Sequence, residues 1–429
     1  MTRTFISEIG ASPMGEILLR GWILRQRALS KTTFIVLQDC TGTIQCVADP
    51  EITRDLGLHL DDAIEIRGTV RSDTRSRTGF EVDISEVIVL NPVRSSLPFT
   101  AASDISHLPV DLLLDHRPLS LRNETIGDVF RIQGAILRAY REFLTAHHFT
   151  EIVTSKIVAG GTEGGTNLFK IKYFERSAYL AQSPQFYKEH GVAGFERVFE
   201  TGHVYRAEPH ATSRHLTEYY SLDLEMGFID GVEDIIQMER ELLTHIFTEL
   251  NTRFGPSLES RGLLPLPSML DVPVWTFDES LARLRERLGR TDLVDDLDPS
   301  AERQLCELAA EETGVPAVFV VGFPLASRPF YTRPRGTSGA AESFDLLFRG
   351  LEITTGGERL HRRGELENAI RGRGIDPSSF EPHLRMFDLG MPPHGGLAIG
   401  LERLTMLVCG LGNVREATLY PRDRVRVSP

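Results

Sequence analysis

Five short runs of alternating or β-branched residues fill most of the first ninety residues, and they constrain the fold more than any other feature of the chain. The runs are Ile17–Leu24, Thr32–Leu37, Thr43–Ala48, Ala63–Val70 and Phe80–Leu90. Clusters of Gly, Asp, Ser and Thr separate them, as expected for turns between strands. Five strands at this spacing predict a small β-barrel, for which an oligonucleotide-binding (OB) barrel is one candidate, while strand spacing alone leaves other small barrels and sandwiches equally open.

The pattern changes after Asn91-Pro92, where Pro, Ser and polar residues indicate a linker. Beyond Thr125, long apolar-periodic helices alternate with strands that look antiparallel, which favours an α+β domain. The strands are expected at Val198–Thr201, Ser221–Phe228 and Ala317–Val321, and the helices at Asp128–His147, Val232–Phe254, Phe277–Leu288 and Ala301–Glu311. We therefore expect a barrel over 1–100, a linker over 101–124 and a second domain over 125–429.

Composition excludes several classes of protein. The chain has 429 residues, of which 41% are hydrophobic and 25% charged, so it is neither disordered nor fibrous. It holds no apolar run of the ~20 residues that a membrane helix needs, and its start lacks the apolar core of a secretory signal. Four scattered cysteines favour a reducing cytoplasm. The net charge of −13 argues against sequence-independent coating of DNA or RNA, although a local basic strip could still bind a nucleic acid.

Residues 200–226 contain the first candidate site. They read as strand, loop, strand, and because side chains alternate along a strand, Arg206 and Glu208 point the same way. An arginine on a rigid strand can bind a phosphate through two hydrogen bonds. The alternative is an exposed hairpin with a surface ion pair worth about 0–1 kcal/mol, which the many further polar residues of the loop make less attractive.

A glycine-rich junction at residues 392–404 is the second candidate. The pattern predicts a strand that leads into a helix over Leu401–Val408, with Arg403 in the first turn. Glycines let a backbone approach a ligand closely, and a helix N-terminus with an arginine favours a polyphosphate. Taken alone, such a junction is more often a packing feature.

Two further segments contain residues that could take part in a functional site. Asp345 and Glu352 supply oxygen donors suited to Mg²⁺, and the alternative is an amphipathic strand with solvated charges. Residues 160–166 are glycine-rich but lack the lysine of a phosphate-binding loop. The residues alone leave a surface loop and a lid equally open there.

Together these stretches resemble the three motifs of the class II aminoacyl-tRNA synthetases. Phe149–Thr154 and the preceding helix resemble motif 1 (about 130–155), Arg206–Glu208 resembles the centre of motif 2 (about 198–228), and Gly400–Arg403 resembles motif 3 (about 393–423). Each string is moderately specific, and their order and spacing together are hard to obtain by chance.

Within that family the chain is most similar to the aspartyl-tRNA synthetases of the archaeal and eukaryotic type. Ala181–Lys188, Thr162–Phe169 and Tyr420–Asp423 carry this resemblance, which covers essentially the whole chain. It implies an α+β protein in which an N-terminal OB-fold barrel binds the anticodon and precedes a class II catalytic domain, built on an antiparallel sheet flanked by helices. It also implies a cytoplasmic homodimer with motif 1 at its interface.

The resemblance further implies an aspartate–tRNA ligase that uses ATP and Mg²⁺, with Arg206 and Arg403 as catalytic residues. The implied ATP-binding residues are Arg206, Glu208, Arg214, His215, Leu216, Tyr219, Glu352, Gly400, Leu401, Glu402 and Arg403. The implied aspartate-binding residues are Glu163, Gln185, Lys188, Arg206, Thr355 and Arg359. The implied metal ligands are Asp345, Glu352 and Thr355, and the implied anticodon-binding residues are Arg27, Phe34 and Gln45.

The choice of aspartate rests on Lys188 and Arg359, which by resemblance face the side-chain carboxylate of the substrate, aided by Gln185. Asparagine would turn an NH₂ group toward these donors and leave buried charges unpaired. Glu163 falls where the family's flipping loop covers the substrate ammonium, which favours the lid for residues 160–166. Asparaginyl enzymes typically carry an acidic residue at the position of Lys188.

The expected partner is tRNA(Asp), with tRNA(Asn) as an open second acceptor; neither DNA nor a membrane is expected. Without the resemblance, the alternative for Phe34 is a core residue of the barrel. Rival hypotheses are an asparaginyl-tRNA synthetase, a synthetase paralogue with another acceptor, and a non-catalytic tRNA-binding module. Departures from the family pattern occur at Ser155, which replaces the motif 1 proline, at Asn167, and at Arg333-Pro334-Arg335.

Overall fold

The structure is a computed structural model that describes residues 2–10, 15–76, 78–161, 167–209, 212–263 and 265–428. The chain divides into two compact units, residues 1–127 and 128–429. Among the described residues, no helix is long and apolar enough to cross a bilayer.

The first unit is a closed five-stranded barrel with the strand order β1-β2-β3-β5-β4. Its strands are β1 (Glu16–Ala28), β2 (Thr33–Gln38), β3 (Thr43–Ala48), β4 (Ala63–Ser72) and β5 (Phe80–Asn91). Alternate residues of each strand point inward and form the barrel core, as in Ile35 and Leu37 of β2, which are fully buried. Helix α1 (Pro50–Thr53) follows β3, and the helices α2 (Val110–Asp115) and α3 (Arg117–Ser120) follow the barrel.

The second unit is built on an eight-stranded sheet that is mostly antiparallel. In chain order its strands are β6 (Thr150–Glu151), β10 (Arg197–Tyr205), β11 (Glu218–Gly227), β12 (Val274–Thr276), β13 (Ala317–Val321), β14 (Ser343–Phe348), β15 (Leu351–Glu358) and β16 (His394–Gly400). Their order across the sheet is β12-β13-β14-β15-β16-β11-β10-β6. A separate three-stranded sheet contains β7 (Ile157–Val158), β8 (Lys170–Tyr173) and β9 (Arg176–Leu180).

The helices that pack against the large sheet are α4 (Glu124–Ala146), α5 (Gln185–Phe195), α6 (Val232–Ser260), α7 (Phe277–Leu288), α8 (Pro299–Thr313) and α11 (Leu401–Val408). Helices α9 (Arg363–Gly372) and α10 (Glu381–Leu384) pack with each other in a separate apolar cluster. Short 3₁₀ turns lie at Ile6–Glu8, Leu325–Ser327, Pro377–Phe380, Arg385–Leu389 and Val414–Ala417. The apolar faces of α4 and α6 pack with β11, β14 and β16 into the main core, which leaves the opposite face of the central strands for a site.

The predicted fold class is confirmed: a closed OB-like barrel precedes an α+β unit on a mostly antiparallel sheet. The predicted bounds of β3, β13, α7 and α11 agree with the structure. The predicted linker over 101–124 differs in one respect, because α2 and α3 lie within it. Leu113, Leu114 and Leu119 are buried there, so burial of leucines stabilises helical turns that the polar composition did not indicate.

Candidate active site

The hairpin of β10 and β11 carries the first group of predicted site residues. The strands pair antiparallel along their whole length. Arg206 follows β10 directly, and its backbone N–H donates to the carbonyl oxygen of Thr217 at 3.0 Å. Its guanidinium carbon lies 5.8 Å from the centre of the Tyr219 ring, within the range of a cation–π contact. The hairpin therefore fixes the base of the Arg206 side chain on a rigid element.

A cavity lies beside this hairpin, β15 and the start of α11, and we call it the arginine cavity because Arg206, Arg214 and Arg403 line it. Its other lining residues are Glu208, His215, Leu216, Tyr219, Ser221, Glu352, Ile353, Thr355, Ala398, Gly400, Glu402 and Val414. Three guanidinium groups around one cavity suit a polyphosphate. Of the residues predicted to bind ATP, only Leu401 is missing from this lining, because its side chain is buried in the main core.

Arg403 lies in the first turn of α11, as predicted. Its Nη1 donates to the carbonyl oxygen of Glu352 at 3.0 Å and lies 4.0 Å from the Glu352 carboxylate. Glu402, the residue before it, is buried, and its carboxylate accepts a hydrogen bond from the backbone N–H of Tyr220 at 3.1 Å. Burial raises the pKa of Glu402 to about 7. This hydrogen bond connects α11 to β11. It therefore fixes the position of Arg403 relative to the hairpin of β10 and β11.

Arg214 is paired with a residue that sequence reasoning missed. Its Nη1 lies 3.1 Å from a carboxylate oxygen of Glu302, on α8. Burial, followed by the negative charge of Glu352, raises the pKa of Glu302 to about 7 even though Arg214 opposes the shift. In the same region, burial and the charge of Arg403 lower the pKa of His215. The arginine cavity therefore has an acidic side next to its cationic one.

A second cavity adjoins the first, and we call it the lysine cavity because Lys188 lines it. Arg359, Arg206 and Gln185 line it as well, together with Gln182, Ser183, Tyr219, Ser221, Arg328, Pro329, Tyr331, Thr332, Ser343, Thr355, Gly356, Leu397 and Ala398. Arg206, Tyr219, Ser221, Thr355 and Ala398 line both cavities. The two cavities are therefore neighbours that share a wall, and Arg206 stands in that wall.

Two carboxylates on β11 form ion pairs with Lys188 and Arg359, two of the cationic residues that line the lysine cavity. The Nζ atom of Lys188 lies 2.9 Å from Asp223 and 3.4 Å from Glu225. Glu225 also accepts from Nε of Arg359 at 2.9 Å. Burial opposes the charge of Arg359, but the Glu225 carboxylate outweighs it and raises the Arg359 pKa. Sequence reasoning assigned no role to Asp223 or Glu225; acidic residues at alternate positions of an apolar strand were the available signal.

Gly396 shows why the glycine run of residues 395–396 is needed. A Cβ atom there would lie 2.1 Å from the Leu224 carbonyl oxygen and 2.3 Å from Oε2 of Glu225. The Gly396 carbonyl also accepts from Nη2 of Arg359 at 3.0 Å. The glycines of this junction were predicted to let the backbone approach a ligand closely. At Gly396 the group that lies close to the backbone is the carboxylate of Glu225 and not a ligand.

Gln185 faces the lysine cavity from the first turn of α5. Its Nε2 donates to Glu189 at 2.9 Å and lies 3.4 Å from Glu225. Both amide hydrogens are thus directed at carboxylates, and the group left for a substrate is the carbonyl oxygen, an acceptor. An acceptor suits an ammonium better than the carboxylate expected from the resemblance. Glu163, the residue predicted to cover the ammonium, lies outside the described residues.

The predicted metal ligands lie near one another but are engaged with protein groups. Thr355 donates to Oε1 of Glu352 at 2.8 Å. Arg328 binds both oxygens of Asp345, at 2.9 and 2.7 Å. Burial raises the pKa of Asp345, and the charge of Glu352 adds to this effect against the opposing Arg328. Among the described residues, no cluster of three or more His, Cys, Asp or Glu side chains forms a metal site of its own.

These donors fit Mg²⁺ in one respect. Glu352 and Asp345 are hard oxygen donors whose like charges raise the free energy of the ionised pair, and a divalent cation would relieve that repulsion. Glu352 and Thr355 line the arginine cavity, whereas Asp345 could bind a metal only by giving up part of its pair with Arg328. Mg²⁺ commonly completes its coordination with phosphate oxygens and water.

The barrel unit has a groove of its own, which we call the barrel groove. Phe34 and Gln45 line it together with Thr32, Val36, Thr43, Ile44, Val47, Arg71, Arg75, Ser76, Thr78 and Glu81. Phe34 is half-buried and is not part of the barrel core, so its ring is available to the groove. Arg27 pairs across the strands with Phe34 and is exposed, but it does not line the groove.

Comparison with known proteins agrees with this architecture. The model of the tRNA synthetases class II (D, K and N) matches residues 109–424, and the model of the OB-fold nucleic acid binding domain matches residues 17–90. The two cavities and the sheet beneath them are thus those of a class II synthetase. The chain belongs to the class II tRNA synthetases of the D, K and N group, as its motifs predicted, and enzymes of this group use ATP as a substrate.

Relatives of known name cover the whole chain. The aspartate–tRNA(Asp/Asn) ligase of Thermus thermophilus is 42% identical over 428 residues, with 100% of both chains covered. The aspartate–tRNA(Asp) ligase of Pyrobaculum aerophilum is 38% identical over 420 residues, with 96% of each chain covered. Among solved structures, the asparaginyl-tRNA synthetase from Pyrococcus horikoshii complexed with asparaginyl-adenylate has a TM-score of 0.90 at 28% identity, with 100% of both chains covered. The aspartyl-tRNA synthetase from Entamoeba histolytica has a TM-score of 0.86 at 30% identity, covering 100% of this chain and 93% of its own.

Proposed function

We propose that this synthetase is an aspartate–tRNA ligase, which activates L-aspartate with ATP to aspartyl-adenylate and transfers the aspartyl group to the 3′ end of tRNA(Asp). The observation that carries the proposal is the shared wall of the two cavities. Lys188 and Arg359 face one cavity, three arginines face the other, and Arg206 belongs to both. Full-length relatives named aspartate–tRNA ligase support the same activity.

Arg206 is positioned to serve the first step. In that step an oxygen of the substrate α-carboxylate attacks the α-phosphorus of ATP, the bond to the β-phosphate oxygen breaks, and pyrophosphate leaves. The carboxylate is already ionised near neutral pH, so the step needs no general base. A guanidinium in the shared wall can bind the α-carboxylate and the α-phosphate together, which brings the reacting atoms into line and neutralises charge.

The remaining cations of the arginine cavity would hold the leaving group. Arg214, His215 and Arg403 line the same cavity, and we assign them to the β- and γ-phosphates, with Tyr219 against the base. Mg²⁺, held by Glu352 with Thr355 and the phosphate oxygens, would neutralise charge on the triphosphate. Asp345 would contribute to that ion after partial release of Arg328.

In the second step the 3′-terminal ribose hydroxyl of the tRNA attacks the carbonyl carbon of the adenylate, and AMP leaves. We propose that the barrel groove binds the anticodon, with Phe34 as a stacking surface, Gln45 as a hydrogen-bonding group and Arg27 near the phosphates. Charging of purified tRNA(Asp) and tRNA(Asn), measured side by side, tests whether tRNA(Asn) is a second acceptor. A cytoplasmic location and a homodimer through motif 1 are proposed on the resemblance alone.

Selection of aspartate over asparagine follows from the charges of the lysine cavity. Two cations opposite one carboxylate favour an anionic side chain, whereas an amide would turn N–H groups toward N–H groups. The rival activity, asparagine activation, has support in the structural similarity to an asparaginyl enzyme. Lys188 and Arg359 argue against it, because both line the lysine cavity as N–H donors, and the asparagine amide has only one oxygen to accept from them.

Pyrophosphate exchange measured with each amino acid separately tests the proposal. We expect exchange that depends on aspartate, with asparagine weaker by about 10³-fold or more, as expected for loss of a buried charge pair. Exchange driven by asparagine, or by no amino acid, would remove the proposed function.

A further inference from the structure

Ser343, the first residue of β14, is a buried residue to which the proposed function assigns no part. It is 2% exposed and lines the lysine cavity. Among the described residues, its Oγ atom has no hydrogen-bond partner. A buried hydroxyl without a partner has given up its hydrogen bonds to water and gained none, which destabilises the folded chain relative to an alanine. A bound group therefore explains this hydroxyl better than folding does.

The polar groups next to Ser343 indicate what kind of group it binds. Arg328 donates from both Nη atoms to Asp345, which lies two residues further along the same face of β14. The Nε atom of Arg328, which also lines the cavity, is buried and has no partner in the part of the chain that the structure describes. An arginine N–H can only donate, and a hydroxyl can donate as well. The group that both atoms lack is therefore an acceptor.

The register of the sheet shows which side of the lysine cavity Ser343 occupies. One row of paired residues crosses four strands on this face, and it contains Ser343, Gly357, Gly396 and Glu225. Arg359 binds two members of this row: its Nε donates to Glu225 at 2.9 Å and its Nη2 to the Gly396 carbonyl oxygen at 3.0 Å. The two glycines between Ser343 and Glu225 carry no side chain. Ser343 therefore lies on the side of the cavity where Arg359 is held.

We propose that Ser343 is a further substrate-binding residue, whose hydroxyl donates to the side-chain carboxylate of aspartate. The inference rests on the proposed function, under which Lys188 and Arg359 face the same carboxylate. A carboxylate is the acceptor that the hydroxyl requires. Because each of its oxygens accepts more than one hydrogen bond, Ser343 adds a contact without displacing either cation.

Removal of the hydroxyl should weaken substrate binding without lowering stability. Ser343→Ala should raise the KM for aspartate in pyrophosphate exchange by about tenfold or more, because a hydrogen bond to a charged group is lost. The KM for ATP should stay within about twofold of the unmodified value. The midpoint of thermal unfolding without ligands should equal that of the unmodified enzyme or exceed it by up to about 4 °C, because alanine buries no unpartnered hydroxyl.

Two further variants separate the hydroxyl from its surroundings. Ser343→Cys keeps a weak donor of similar shape, so its KM for aspartate should lie between those of the unmodified enzyme and Ser343→Ala. Ser280→Ala is the matched control: Ser280 is fully buried in the same unit, lines neither cavity, and donates to the carbonyl oxygen of Thr276 at 2.9 Å. Its replacement should leave the KM for aspartate unchanged.

An unchanged KM for aspartate in Ser343→Ala would overturn the contact, because the hydroxyl would then bind no substrate. A lower unfolding midpoint would overturn it as well, because the hydroxyl would then have a partner within the protein. The same holds for an equal increase in the KM for ATP, or for an equal effect of Ser280→Ala. If the unmodified enzyme shows aspartate-dependent exchange, each of these results removes only the contact of Ser343. If it shows no such exchange, the proposed function itself is wrong.

Discussion

Lys188, to which we assign selection of the substrate side chain, is also expected to matter for stability. It is 1% exposed and forms ion pairs with Asp223 and Glu225. Desolvation makes a buried ion pair a weak source of net stability, but removing one partner leaves a charge buried without compensation. Because Asp223 and Glu225 pair with Lys188, replacing Lys188 by an uncharged residue is expected to lower the free energy of unfolding.

We predict that Lys188→Met lowers kcat/KM for aspartate in pyrophosphate exchange by about 10²-fold or more, because the substrate carboxylate loses one of its two cations. The free energy of unfolding should fall by about 3–5 kcal/mol, since two buried carboxylates lose a partner. Lys156→Met is the matched control: Lys156 pairs with the buried Glu200 at 2.9 Å but lines neither cavity. An equal loss of aspartate affinity in both variants would contradict the assigned role of Lys188.

Glu302 gives a prediction for ATP. Its carboxylate forms an ion pair with Arg214, and it adds negative charge near a site proposed for a triphosphate. We expect Glu302→Gln to lower the KM for ATP by about three- to tenfold and to leave the KM for aspartate unchanged.

The pH dependence of the same variant supplies a check. With a pKa of about 7, Glu302 is neutral below that pH and negative above it. The KM for ATP of the unmodified enzyme should therefore rise more steeply between about pH 6 and pH 8 than that of Glu302→Gln. Parallel pH profiles for the two enzymes would show that Glu302 does not act on ATP binding.

Single residues also show which features of the site could be predicted from the sequence and which could not. The Arg206, Arg403 and Lys188 positions were predicted from motifs, and the structure brings them to adjoining cavities. Pairing across the fold could not be predicted, because Glu225 meets Arg359 and Arg328 meets Asp345 only when distant segments pack together. Which cation a buried carboxylate pairs with is a property of the folded chain, and no local pattern encodes it.

Elements were predicted more completely than contacts, because hydrophobic periodicity is local. Strand β13 reads as five consecutive apolar residues and is buried on every side, as expected for a central strand. Helix α7 begins at a Thr276–Glu279 capping box and ends at Gly289 in a left-handed conformation, and such signals mark both ends in sequence. The short strands β8 and β9 were not predicted, because polar and apolar residues alternate over only four residues in β8 and do not alternate in β9.

Helix α6 yields a prediction at this scale, because it presents Glu239 to the core beneath the sheet. Glu239 is fully buried, and burial, with the charge of Asp345, raises its pKa to about 8, although the nearby Thr354 opposes the shift. Between about pH 4.5 and pH 8 the unfolded chain has lost this proton while the folded chain retains it. Folding stability from this group therefore decreases as the pH rises through that window.

Glu239→Gln removes this titration. Its free energy of unfolding, measured by urea titration at a series of pH values, should exceed that of the unmodified chain by an amount that grows by roughly 2–4 kcal/mol from pH 4.5 to pH 8. Above pH 8 the difference should level off. A constant difference across the range would mean that Glu239 titrates alike in the folded and unfolded chain.

At the scale of the whole molecule, chemistry and tRNA recognition are assigned to different units. The two cavities belong to the unit of residues 128–429, and the barrel groove belongs to the unit of residues 1–127. Under the proposed function, amino-acid activation uses only the unit of residues 128–429, whereas charging of tRNA needs both units. Substitutions in the groove should therefore separate the two reactions.

Phe34 is the residue best suited to show this separation, because its ring faces the groove and not the barrel core. Stacking of an unpaired base on an aromatic side chain contributes about 1–3 kcal/mol, so Phe34→Ala should lower kcat/KM for tRNA(Asp) charging by about 5- to 150-fold. Pyrophosphate exchange with aspartate should be unchanged, and Phe34→Trp should restore most of the charging rate because it keeps an aromatic face. The variants are to be compared on tRNA(Asp) and tRNA(Asn) side by side. Loss of exchange in Phe34→Ala, or failure of tryptophan to restore charging, would show that Phe34 stabilises the barrel instead of stacking on a base.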